Sequence, residues 1–358
     1  MSGDASSVVG PLQGYHHETY VFPLPDGSRF KCREPRAQIL WFDRRCFDSE
    51  DELLCALRGR VKRIPEVVEI EGTRVQRFIE GQTLRSLRLP GRRIPPEVFW
   101  QIVGLFRQTA RITPDMLDVV RLCSYEDRPV EGDSDGFLEQ LITFAEKEVY
   151  QSNLEQFGVL FGDLGVSDES FRYLRKHVPG LRERPFCLLH GDLHRENLIV
   201  DPARMLWAID WELAMLGDPL YDLATHLHLM RYPDVQARRM VEEWCRAVER
   251  VRPGSSSGWQ RDLFLLLDFK RAQSVFTDVI RVSLSLCDGP ELRLHDLQRA
   301  ARILEGRLAA AAVPLGLDHV PSSTRIMAAL MRWWCGDRAG RRSPYGLRPQ
   351  RSVRRPSP

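Results

Sequence analysis

The sequence predicts an α+β protein of two lobes, a small antiparallel β-sheet followed by a mainly helical part. Three observations predict this. Residues 8–79 carry short alternating apolar and polar runs broken by turn residues. From about residue 83 onward, apolar residues recur at three- and four-residue spacing. One strand-rich stretch, roughly 186–212, interrupts those helices. At 358 residues the chain is also too long for one simple core. The expected boundaries are 1–82 for the first lobe, 83–338 for the second and 339–358 for a tail.

Residues 8–10, 17–24 and 28–34 are rich in Val, Phe and Tyr and read as strands. Pro25-Asp26-Gly27 supplies a tight turn between the last two. SEDELLCAL, from Ser49 to Leu57, reads as a helix with Ser49 as N-cap and acids in the first turn, where the helix dipole favours them. Strands at 67–71 and 74–79 follow, separated by Glu71-Gly72. Pro95-Pro96 then opens a helix through about Ile112, and 137–151 and 170–176 continue the helical pattern. After the strand interlude, helices are expected near 218–231, 233–250, 258–286, 290–311 and 323–335. The closing RRSPYGLRPQRSVRRPSP has almost nothing to bury and predicts a disordered basic appendage.

Apolar content of 43% and charged content of 28% are ordinary for a soluble globular chain. A formal charge of +2 gives no reason to expect nucleic acid or a membrane surface as partner. The eight cysteines stand apart, with no C-x-x-C pair and no zinc-like spacing to histidine, so reduced and mostly buried thiols are expected. No apolar run approaches the ~18 residues of a membrane span. The start lacks a charged-then-apolar signal pattern, so a cytoplasmic protein, monomer or homodimer, is expected.

Residues 187–224 read CLLHGDLHRENLIVDPARMLWAIDWELAMLGDPLYDLA. Apolar runs at 198–200 and 206–209 flank Asp201-Pro202, a hairpin signature. The hairpin would bring Asp192, Asn197 and Asp210 towards one edge. Those groups suit phosphoryl transfer: one carboxylate receives the acceptor proton, while an amide and a second carboxylate offer the hard oxygens that Mg²⁺ prefers.

The stretch HGDLHRENLIV…IDWE…GDPLYDLA resembles the catalytic loop and metal-binding hairpin of the aminoglycoside phosphotransferase and choline kinase superfamily, relatives of the protein kinases. The likeness implies a protein-kinase-like fold, Asp192 as catalytic residue, Asn197 and Asp210 as Mg²⁺ ligands, and ATP or GTP as phosphoryl donor. It makes His190 a loop-structuring residue, and Asp218 and Asp222 structural acids at the start of the next helix. No Ala-Pro-Glu segment follows Asp210, which argues against a protein-directed kinase.

The first lobe is less specifically similar. Gly10-x-x-x-Gly14-Tyr15-His16-His17 falls between two strands and fits a phosphate loop, with Gly14 and His17 as contacts. Strand Phe30-Lys31-Cys32-Arg33 offers two cations on one face. Aligning the strand favours Arg33 over Lys31, and aligning the helix puts Glu50 at the pairing position, with Glu52 as the alternative. QRFIEG, residues 76–81, resembles the hinge that lines the base pocket, which adds Gln76 and Phe78.

The acceptor is a small molecule. Residues 115–169 hold 14 acids against three bases, which would favour a cationic antibiotic. The helix 258–286, with Asp268, Arg271, Asp278 and Arg281, is the other candidate wall, and Glu212 is a further candidate. The leading expectation is an antibiotic phosphotransferase acting on an aminoglycoside, peptide or nucleoside and conferring resistance. A metabolic kinase for choline, homoserine or a sugar is the alternative, and a non-catalytic kinase-like module a third.

Overall fold

In the computed structural model the described residues are 9–13, 17–23, 27–35, 40–70, 72–124, 128–287, 289 and 291–340. The short alternating runs pair as their pattern requires. Strands β1 (Val9–Gln13), β2 (His17–Pro23), β3 (Arg29–Pro35), β4 (Val67–Ile70) and β5 (Thr73–Arg77) form an antiparallel sheet in the order β1-β2-β3-β5-β4. Helix α1 (Glu50–Leu57) lies between β3 and β4 in the chain and buries Leu53, Leu54 and Leu57. Its start is fixed by Ser49, whose Oγ accepts the Glu52 N–H at 3.3 Å. The turn expected at Pro25-Asp26-Gly27 lies mostly outside the described residues.

Strand β6 (Gln82–Thr83) and helices α2 (Leu84–Leu87), α3 (Pro96–Thr109), α4 (Ser134–Phe144), α5 (Leu154–Asp163) and α6 (Asp168–His177) follow. Strands β7 (Cys187–Leu189), β8 (Leu198–Val200), β9 (Leu206–Ala208) and β10 (Met215–Gly217) make up the interlude. Helices α7 (Pro219–Met230), α8 (Asp234–Glu249), α9 (Trp259–Ser285), α10 (Leu294–Ala311) and α11 (Ser323–Gly340) complete the chain. The hairpin β8–β9 forms as expected, and β6 adds to it through the pairs Gln82–Val200 and Thr83–Ile199. Strand β7 pairs with β10 rather than with the hairpin.

The helix expected at 137–151 stops at Phe144, where a wide π-helical turn, Ala145–Tyr150, takes over. Helix α5 was not expected because Gly158 and Gly162 break its apolar pattern. The tail beyond Gly340 lies outside the described residues. The thiols correct the composition reading. Cys187 is buried, Cys55 and Cys335 are exposed and the other five are half-buried.

The chain divides into two compact units. The first comprises residues 1–35, 43–144 and 175–270 and holds every element described below as the site. Its deepest polar feature is Arg184, fully buried and held by two carboxylates. Nε and Nη2 donate to Asp218 at 2.8 and 2.7 Å, and Nη1 donates to Asp262 at 2.7 Å. Asp218 also caps α7 by accepting the Leu220 N–H at 2.9 Å. Asp262→Ala would strand part of a buried guanidinium, and it is expected to lower the unfolding free energy by about 3 kcal/mol in urea titrations. The second unit comprises residues 36–42, 145–174 and 271–358. Its core is aromatic, with Phe171 stacked on Phe276 at 4.2 Å between ring centres and Phe157 on Trp333 at 5.2 Å.

Candidate active site

Asp192 follows β7 in a loop whose backbone is held from α7. The His190 and Gly191 N–H groups donate to the two oxygens of Asp222 at 3.1 and 2.9 Å. Burial pushes the Asp222 carboxyl up, against the pull of His190 and these two donors. Gly191 has φ +79°, and a Cβ there would run into the Leu213 carbonyl oxygen, so the loop requires glycine. The His190 ring donates from Nε2 to the Ile209 carbonyl at 3.1 Å and accepts the Asp192 N–H at Nδ1, 3.4 Å away. Burial lowers its pKa, in keeping with the neutral ring those two bonds need. His190 thereby ties the residue before Asp210 to the backbone of Asp192, the loop-structuring part the resemblance implied.

Two residues without an assigned role in the sequence reading hold the same loop. His226 is fully buried, donates from Nδ1 to the Leu193 carbonyl at 2.8 Å and accepts from the Tyr232 hydroxyl at 2.9 Å. Burial drives its pKa to about 3, so it stays neutral. Buried Arg195 donates to the carbonyls of Met230, Arg88 and Arg92 at 3.0–3.1 Å. Their partners, the Leu193 carbonyl for His226 and the Met230, Arg88 and Arg92 carbonyls for Arg195, lie far away in the chain and leave no local signal.

The Asp192 side chain is 29% exposed, open enough to meet a substrate. Asn197 Nδ2 donates to its Oδ2 at 3.1 Å and to its carbonyl at 2.9 Å. The Asn197 amide nitrogen is thus engaged by Asp192. His194 Nε2 stands 3.3 Å from Asp192 Oδ2. Burial pulls the His194 pKa down, but the Asp192 carboxylate outweighs it and the net shift is upward.

The second cluster joins β3, α1 and the end of the hairpin. Arg33 Nη1 bonds Glu50 Oε2 and lies 3.3 Å from Asp210 Oδ1. Glu50 Oε1 accepts the Trp211 N–H at 2.7 Å, and Oε2 accepts from Gln76 Nε2 at 3.0 Å. Burial works against the Glu50 charge, yet Arg33, Lys31 and these donors hold its carboxyl below the usual range. Asp210, at φ +66°, is one of four non-glycine residues with positive φ among the described residues. Burial raises its pKa, against the pull of Arg33 and Lys31. Lys31 is buried on the same face, and burial with the nearby Arg33 lowers it to about 8.

Arg33, not Lys31, therefore makes the ion pair with Glu50. Glu52 turns away and meets Arg74 at 3.3 Å. Gln76, expected near the base, instead donates to Glu50 and to Asp51, the latter at 2.7 Å. Phe78 is half-buried, and its N–H is taken by the Arg29 carbonyl at 2.8 Å. Gly14 lies outside the described residues, and of His17 only its place at the start of β2 is described. Among the described residues no cluster of His, Cys, Asp and Glu has a metal-binding arrangement of its own.

Glu212 is buried beside Asp210 and Arg33 and perturbs both. The other acceptor candidates are engaged locally or fall in the second unit. Asp268 accepts from His177 Nε2 at 2.8 Å. Asp278 pairs with Arg307, Arg281 lies over the Phe42 ring at 5.6 Å, and Arg271 sits on α9. The acids of 115–169 are divided between the two units. Asp135 accepts the N–H groups of Gly180 and Leu181, Glu131 that of Phe186 and Asp133 that of Gly136, while Glu139 pairs with Arg175.

Asp192 is thus held by an asparagine five residues on, and Asp210, at the end of the hairpin, meets the Arg33–Glu50 pair. The sequence pattern that defines the phosphotransferase enzyme family matches residues 8–254. The chain belongs to that family. It has the protein-kinase-like fold, with an antiparallel N-terminal sheet and a mostly helical remainder. A candidate aminoglycoside phosphotransferase of Ralstonia eutropha superposes with a TM-score of 0.53 at 15% identity, covering 90% of this chain and 91% of that one. Plasmodium vivax ethanolamine kinase gives 0.50 at 12% identity, covering 87% and 84%. Among curated proteins, acyl-CoA dehydrogenase family member 11 of Homo sapiens is 25% identical over 185 residues, 51% of this chain and 20% of that protein. The Mus musculus protein of the same name is 31% identical over 108 residues, 30% of this chain and 11% of its own length. This phosphotransferase thus spans a fifth or less of those relatives. Among the described residues no helix is long and apolar enough to cross a membrane.

Proposed function

We propose that the protein is a small-molecule kinase that transfers the γ-phosphoryl group of ATP or GTP to an acceptor hydroxyl, with Asp192 as catalytic residue. The observation that carries this is the hydrogen bond from Asn197 to a solvent-accessible Asp192, with Asp210 set against the Arg33–Glu50 pair. On this reading residues 1–82 form the nucleotide lobe with its hinge, and 83–338 hold the catalytic loop and acceptor site.

The oxygens that Asn197 and Asp210 offer are the hard donors Mg²⁺ prefers, so both residues fit it. Held by these two residues, Mg²⁺ would offset the negative charge of the phosphates. The chain's own residues do the rest. Arg33 offers a planar fork to phosphate while Glu50 fixes its direction. Asp192 accepts a hydrogen bond from the acceptor hydroxyl, aims it at the γ-phosphorus and takes its proton late in a loose transition state. Arg33→Lys keeps the charge and loses the fork. It is expected to raise the KM for nucleotide about tenfold, with the acceptor KM unchanged in steady-state assays.

Two acceptor classes compete. An antibiotic is what the resistance enzymes of this superfamily suggest. A hydroxylated acyl compound is what the likeness to acyl-CoA dehydrogenase family member 11 suggests. Asp135, Glu131 and Glu139, among the acids expected to attract a cationic antibiotic, serve backbone N–H groups and an arginine of this chain, which weakens that argument, and we favour the acyl compound. The test offers Mg²⁺ with ATP or GTP against hydroxyacyl compounds, choline, ethanolamine, homoserine and antibiotics, reading mass gain by one phosphate. Transfer to a hydroxyacyl compound is the expected result. Transfer to an antibiotic alone would establish the resistance reading, and nucleotide binding without any transfer would count against the kinase.

A further inference from the structure

Cys46 and Cys123 meet in the first unit, away from the residues given roles above. An isolated antiparallel bridge between Phe47 and Arg121 brings their segments together. It is closed by Leu122 N–H to the Cys46 carbonyl at 2.9 Å and Asp48 N–H to the Val120 carbonyl at 3.1 Å. In that register Cys46 stands opposite Leu122, and Cys123 is the next residue along. The two thiols are near enough to perturb one another, and both are half-buried, not sealed from solvent. They line a cavity of about 480 Å³ whose wall also carries Arg44, Arg121 and Arg128.

We propose that this pair is a redox-modification site, in which Cys123 is the nucleophile towards a hydroperoxide and Cys46 resolves the product to an intramolecular disulfide. The surroundings divide the two roles. The neighbouring Cys46 thiol, with Arg44 and Arg128 close by, draws the Cys123 thiol down to about 5 in spite of partial burial. The Cys46 thiol is raised in turn by Cys123 and by burial, and it keeps its proton. In the first step the Cys123 thiolate attacks one peroxide oxygen. An S–O bond forms, the O–O bond breaks, and the leaving alkoxide or hydroxide takes a proton from water, leaving a sulfenic acid. In the second step Cys46 sulfur attacks the Cys123 sulfur. The S–S bond forms, the S–O bond breaks, and the hydroxyl leaves as water with the Cys46 proton. The chain loses two hydrogens and the peroxide is reduced.

The bond would link the segment that leads into α1, three residues before the Ser49 cap, to the segment at 120–124. Because these segments are already bridged, the disulfide holds the approach to Glu50 in its present place and is expected to raise Tm.

The test treats the full chain with stoichiometric hydrogen peroxide, maps disulfides by peptide mass spectrometry and follows thermal unfolding. The expected result is a Cys46–Cys123 peptide, a mass loss of two hydrogens and a higher Tm that dithiothreitol reverses. Cys55 and Cys335 are exposed and provide the control, since accessibility alone would make them react first. Cys46→Ser should stop at a sulfenic acid on Cys123 that a cyclic dione traps, and Cys123→Ser should abolish the reaction. Oxidation of Cys55 or Cys335 ahead of Cys123, a disulfide between chains, or a mapped disulfide without a rise in Tm would overturn the proposal.

Discussion

Asp192→Ala is expected to lower kcat by about 10³-fold or more, with nucleotide affinity nearly unchanged. The side chain is partly exposed, so its removal opens no core cavity. The loop should survive, because Asn197 keeps its bond to the Asp192 carbonyl and His190 its bond to the Asp192 N–H. Asp192→Asn is the sharper variant. It preserves shape and a hydrogen-bonding oxygen for Asn197 but cannot accept the hydroxyl proton, and it should lose nearly as much. Transition-state charge in phosphoryl transfer sits on the phosphoryl oxygens, so a residual rate should remain from positioning alone. Turnover of either variant at the parent rate would remove Asp192 from the reaction. An equal loss accompanied by a fall in Tm would assign it a structural part.

The sequence made the catalytic loop legible because its chemistry is contiguous. Asp192, Asn197 and Asp210 fall within one loop and one hairpin, and a hairpin's register follows from its two apolar runs. The first lobe was legible in outline and open in detail. Lys31 and Arg33 share a face of β3, so spacing could not choose between them; the choice is made by Glu50, which reaches Arg33 from α1. Glu50 and Glu52 are two positions apart on a helix and diverge, one inward to Arg33 and one outward to Arg74. Gln76 looked like a hinge residue by position, but its strand pairing places it opposite Lys31, where the nearest acceptors are Glu50 and Asp51. What could not be read were bonds made across the chain. Arg184 finds Asp218 and Asp262, and His226 finds the Leu193 carbonyl, through tertiary packing without any local signal. The run of acids at 115–169 was open for the same reason, since charge along a sequence does not say which N–H or guanidinium Asp135, Glu131 or Glu139 will meet.

Asp210→Ala is expected to abolish detectable transfer and, more tellingly, the stabilisation that Mg²⁺ and nucleotide together confer. A ligand present at about 100 times its Kd stabilises a folded chain by about 2.7 kcal/mol, a shift of several degrees in Tm. The parent should show that shift and the variant none. Without nucleotide the variant should remain folded, since Arg33 keeps Glu50 and burial already opposes the Asp210 charge. The backbone allows a control. Asp210 holds φ +66°, a conformation costing a non-glycine residue roughly 1 kcal/mol. Asp210→Gly relieves that cost while removing the same carboxylate, so it should be at least as stable as Asp210→Ala and equally unable to bind Mg²⁺-nucleotide. If Asp210→Gly recovered nucleotide-dependent stabilisation, the residue would matter for its backbone shape and the carboxylate would lose its place as a metal ligand. If both variants stay blind to nucleotide while the glycine variant melts higher, the strained conformation is what holds an oxygen donor against Arg33 at the end of the hairpin.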